Sequence, residues 1–128
     1  MRTSAKDFEK FKRYCAEWAA LFGLSDWNID YAHKNKNIDG NEYYAVCQAG
    51  HGKRHAWIFL STEWRGVDIT EQKLKTVALH EIIHVLIAAL EDAAFERFVS
   101  REEFESAREE VTVRLENVIF KLAADRVK

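Results

Sequence analysis

Apolar side chains recur three and four residues apart at Phe8, Phe11, Tyr14, Cys15, Trp18, Ala19 and Phe22. That spacing predicts an amphipathic helix over residues 4–22, with Ser4 as its cap and Gly23 as its stop. The period then shortens to two. Trp27, Ile29 and Tyr31 alternate with Asn28 and Asp30, which predicts a half-buried strand. The polar run His33–Asn41 is a loop, with Asp39-Gly40-Asn41 its tightest turn signal. Tyr43–Ala49 reads as a second strand and His55–Ser61 as a third. The turn Gly50-His51-Gly52 between them predicts a hairpin.

The helical period returns at Thr70, which with Glu71 and Lys73 opens a helix expected to reach about Leu90. Residues 92–98 fit either a short helical turn or a loop. Ser100 and Glu103 then form the capping pattern S-x-x-E, and the chain continues helical to about Ala124. Phe104, Val111, Leu115, Val118, Ile119 and Leu122 are its expected core face. The order is helix, three strands, helix, helix. It predicts one α+β domain over residues 1–128, built on a mostly antiparallel three-stranded sheet.

Within the second helix lies His80-Glu81-Ile82-Ile83-His84, an HExxH pattern. Residues four apart share a helix face, so His80 and His84 can hold one Zn²⁺ from the same side. Glu81 is offset in angle, where it polarises a water rather than binding the metal. Val77-Ala78-Leu79 and Val85–Leu90 make the surrounding helix apolar all round, and therefore expected to be buried. Two imidazoles and a carboxylate in such a helix need partners, which a metal and its water supply. The alternative is a set of core side chains that hydrogen-bond their neighbours, with no metal.

A hydrolytic zinc site uses three protein ligands and one open position. Ile87 and Leu90 stand where the longer pattern with a third His would have Gly and His. Glu91 is seven residues beyond His84, about 10 Å along an unbroken helix, which places it out of reach. The third ligand is therefore expected from the last helix, at Glu109, with Glu110 as the alternative and Glu96 a more distant one. Tyr43, Tyr44 and His55 are candidates to stabilise an oxyanion, although no spacing marks them. Cys47, His51 and His55 resemble metal ligands in spacing, but the hairpin turn between them argues against a second site.

Composition narrows the classes. A net charge of −2 gives no reason to expect nucleic acid or an anionic membrane as the main partner. No run is long and apolar enough for a membrane span, and the first residues lack the apolar core of a secretory signal. Two cysteines are too few for a disulfide framework and fit a reducing cytoplasm. Trp18, Trp27, Trp57 and Trp64 are expected in the core or a cleft wall, and Lys34, Lys36, Lys53 and Arg54 on a solvated rim.

Three pieces, Leu24–Ile29, Ala56–Ser61 and Val77–Val85 with its HExxH, together with a helix carrying Glu109, resemble a minimal zincin metallopeptidase of the gluzincin kind. In size and order the chain is similar to small bacterial and phage-encoded metallopeptidases of the SprT-like and ImmA/IrrE-like groups. The resemblance implies a zinc-dependent peptidase, with one Zn²⁺ per chain on His80, His84 and Glu109, and Glu81 as general base. It implies a peptide or protein substrate, and a cleft bordered by the strand around Ile58–Leu60. The chain lacks the downstream His or Cys-rich ribbon of many SprT-like proteins. A non-catalytic zinc-binding interaction module of the same fold is the alternative.

Overall fold

The computed structural model of the chain describes residues 1–37, 42–95 and 98–127, with side chains as far as Leu122. The Asp39-Gly40-Asn41 turn and Glu96 lie outside the described residues. Helix α1 spans Ala5–Leu21 and is capped as predicted. The Ser4 hydroxyl accepts from the Asp7 amide, and the Asp7 carboxylate accepts from the Ser4 amide. The helix stops at Phe22. Gly23 follows at φ +69°, a left-handed turn that a side chain would strain.

Three strands follow: β1 (Asn28–His33), β2 (Ala45–Gly50) and β3 (His55–Leu60). β2 and β3 form the expected antiparallel hairpin. β1 pairs with β3 in parallel, Asn28 opposite His55 and His33 opposite Leu60, so the sheet is mixed and its order is β1-β3-β2. β3 is therefore the central strand. Ala56, Ile58 and Leu60 point inward and are fully buried. Phe11, Tyr14 and Cys15 of α1 join them in the core.

Helix α2 spans Glu71–Leu86, with the Thr70 hydroxyl accepting from the Lys73 amide. Leu74, Ala78, Ile82 and Val85 complete the core. The helix ends earlier than its apolar pattern suggests. Ile87 leaves helical geometry at φ −93°, ψ 5°, and a separate helix α3 runs over Ala88–Phe95. Neither Gly nor Pro marks this break.

Helix α4 covers Arg101–Val127, and the Ser100 hydroxyl caps the Glu103 amide. Only Val111 and Val118 of its predicted core face are buried. Phe104, Leu115, Ile119 and Leu122 remain exposed. What fixes the helix is largely polar. Arg54, in the β2–β3 turn, bonds Asp26 and Glu110, and Arg114 bonds Asp26 and the Gly23 carbonyl. Among the described residues no helix is long and apolar enough to cross a membrane.

Candidate active site

The motif helix presents two different faces. Glu81 points inward and is 4 % exposed, whereas His80 is exposed and His84 half-buried. The helix is thus buried on one side, not all round. The His80 and His84 rings lie 5.0 Å apart between centroids, nearly edge-on at 74°. One turn of helix separates them, as the i, i+4 spacing requires.

Glu81 carries the least ordinary electrostatics of the three. Its Oε2 is buried and has no hydrogen-bond partner. Burial pushes its carboxyl up from 4.5 to about 7, and nearby His84 pulls it part of the way back. An unpaired carboxylate oxygen in the interior is costly unless something else meets it. The Cys47 thiol, across from this helix on β2, is pushed up to about 12 by burial, with Glu81 and Glu91 adding to it. Glu81 and Glu91 therefore act on one region of the fold.

Glu91 is the carboxylate found beside the motif. Its Oε1 lies 3.5 Å from His84 Nδ1. On an unbroken helix Glu91 would be out of reach, but α2 ends at Leu86 and Ile87 leaves helical geometry. A carboxylate at Nδ1 orients an imidazole and leaves Nε2 free to face a metal. Glu109 is elsewhere. It lines a groove with Leu21, Gly23, Arg114 and Lys121. Glu110 is held by Arg54 at 3.1 Å, and its Oε2 stands 3.3 Å from His51 Nε2 without an aligned hydrogen bond. Among the described residues no three His, Cys, Asp or Glu side chains converge as a metal site. The structure thus pairs His80 with His84 and His84 with Glu91, and places Glu109 in a different groove.

A cleft of about 540 Å³ opens along the motif helix, lined by Tyr43, Tyr44, Trp64, Val77, His80 and Glu81. Of the three oxyanion candidates, the two tyrosines border it. His55 does not. It projects from the opposite face of the sheet, with Nε2 2.7 Å from Asp30 Oδ2. Strand alternation likewise separates inward Cys47 from outward His55, while His51 sits in the turn. The strand beside the cleft also differs from the expectation. β3 is hydrogen-bonded on both sides and cannot receive a peptide, whereas β2 is the edge strand next to α2.

By type alone, the two imidazoles are donors that zinc takes. Both are borderline-soft nitrogen donors, a carboxylate stands beside one of them, and a buried orphan carboxylate lies between them in sequence. Tyr43 and Tyr44 carried no spacing signal, and Glu91 was hidden by a helix break that the sequence does not mark. Set against known proteins, the chain matches no family model, no curated protein and no solved structure.

Proposed function

We propose that the chain is a zinc-dependent peptidase that hydrolyses a peptide bond in the cleft beside the motif helix. One observation carries the reading: Glu81, buried and with an unpartnered oxygen, lines an open cleft together with His80, whose ring meets that of His84. His80 and His84 would hold one zinc ion. Glu91, beside His84 Nδ1, would hold that imidazole in place and leave its Nε2 for the ion. The ion, when bound, supplies Lewis acidity for water activation.

The chain's own residues do the rest. Glu81 accepts the proton of the attacking water and returns it to the leaving amine. An extended peptide adds to the free edge of β2, so backbone bonding gives affinity with little demand on side chains. Tyr43 or Tyr44 donates to the developing oxyanion from the cleft wall. Its two free cysteines fit a reducing compartment such as the cytoplasm.

Elemental analysis of protein purified without chelator or metal-binding tag tests the metal, and a peptide library tests the hydrolysis. About one zinc per chain, retained in Glu81→Gln while cleavage is lost, is the expected result. A folded wild type that refuses added zinc overturns the reading. Zinc binding without cleavage in either protein leaves the non-catalytic zinc module instead.

A further inference from the structure

The helices cover one face of the sheet. On the other, alternation along the central strand sends His55, Trp57 and Phe59 outward, opposite buried Ala56, Ile58 and Leu60. The three rings form a continuous ladder. His55 meets Trp57 edge-on with centroids 5.9 Å apart, and Trp57 stacks on Phe59 at 6.0 Å and 21°. The flanking positions on the same face are Asn28, Asp30 and Ala32 on β1, and Val46, Gln48 and Gly50 on β2. None of them is bulky enough to wall off the rings. Trp57 remains 41 % exposed, a large apolar surface for a central strand to leave in water.

Cations stand at the end of this ladder. Lys36 Nζ is 3.9 Å from the Phe59 ring centroid and Lys34 Nζ is 5.9 Å from it. Lys53 is exposed in the turn that precedes the strand. The acid on this face, Asp30, is already engaged with His55. Aromatic faces beside uncommitted ammonium groups on an open sheet make the pairing that stacks bases and neutralises phosphates.

We propose that this outer face binds single-stranded nucleic acid, with Trp57 stacking a base and Lys34 and Lys36 engaging phosphates. The chain's net charge of −2 led to the opposite expectation, but among the described residues the charges beside this ladder that lack an opposite partner, Lys34 and Lys36, are positive. A second copy fits less well. Among the described residues it would bring the same lysines and no acid on this face beyond Asp30, leaving ammonium groups desolvated without partners. The site uses neither His80, Glu81 nor His84, so it stands apart from the peptidase reading.

Fluorescence anisotropy with labelled oligo-dT and oligo-U of about 12 nucleotides tests it. At low salt the wild type is expected to bind at least one of them. Trp57→Ala, a surface truncation whose folding circular dichroism can check, is expected to weaken binding about tenfold or more. A double Lys34→Ala, Lys36→Ala variant keeps the rings and is expected to lower the logarithmic salt slope by about 1.4. Three results overturn the proposal: no binding by folded wild type, binding that Trp57→Ala leaves unchanged, or a wild-type dimer that Trp57→Ala dissociates in sedimentation.

Discussion

Glu91 Oε1 stands 3.5 Å from His84 Nδ1 although seven residues separate them along the chain, because the helix that carries His84 ends between the two. An unbroken helix would hold them about 10 Å apart along its axis. The interruption at Ile87 thus decides which acid can serve the motif.

If that contact matters for metal, Glu91→Ala lowers zinc affinity about 10- to 100-fold, the usual cost of losing a carboxylate that holds a ligating histidine. His84→Ala abolishes binding, and Glu109→Ala leaves it unchanged. Competition against a zinc chelator measures all three. Normal affinity in Glu91→Ala with loss in Glu109→Ala would place a ligand on α4 and leave Glu91 no part in binding.

The buried Glu81 carboxyl links stability to pH in the zinc-free protein. Its folded pKa of about 7 lies above the ordinary 4.5, so the unfolded chain releases this proton first as pH rises. The contribution is therefore fully present below about pH 4.5 and is lost as pH climbs through 7, by about 3 kcal/mol in all. Glu81→Gln flattens this dependence. Urea midpoints between about pH 5 and pH 8 give the comparison, and a wild type equally stable at both ends contradicts it.

Glu110 acts as an anchor for α4. It meets the Arg54 guanidinium at 3.1 Å and the Arg114 guanidinium at 3.9 Å, and its side chain is 24 % exposed. Removing it leaves two guanidinium groups facing each other with only Asp26 between them. Because Arg54 and Asp26 are well solvated, Glu110→Ala is expected to cost only about 1–2 kcal/mol. The clearer readout is faster amide exchange confined to α4. Unchanged exchange there would mean that Val111 and Val118 hold the helix alone.

Both thiols are shielded. Burial raises the Cys15 thiol and pushes Cys47 up to about 12. The thiolate is the reactive form, so iodoacetamide should modify the folded protein far more slowly than the urea-unfolded chain. Mass spectrometry over time measures the ratio. Rapid labelling of Cys47 in folded protein would show that the pocket beside Glu81 admits solvent freely.

Local signals were legible in the sequence and relational ones were not. Ser4, Thr70 and Ser100 each cap a helix as read, because a cap is set by residues within one turn. The hairpin of β2 and β3 was also readable from its turn. The place of β1 was not, since nothing in a strand's own residues says on which side of its neighbour it will pair. His55–Leu60 hid its orientation for a related reason. Apolar residues occupy both parities there, so the period of two cannot tell inward Ile58 from outward Trp57. Likewise the apolar run Val85–Leu90 concealed the end of α2. The pair His80 and His84 was readable from spacing alone, whereas its neighbour Glu91 depended on that hidden end.

The strand order has a consequence for how the chain assembles. β1 and α1 are made first, yet the partner of each comes from later in the chain: Asn28 pairs with His55, and the Cys15 thiol lies against the Ala78 carbonyl. These distant pairings have high loop-closure entropy, so the β2–β3 hairpin, joined by a short turn, is the natural nucleus. Phe11 and Tyr14 lie on the helix whose main packing partner is α2. The helix that bears the two histidines is thus the piece that joins α1 to the sheet.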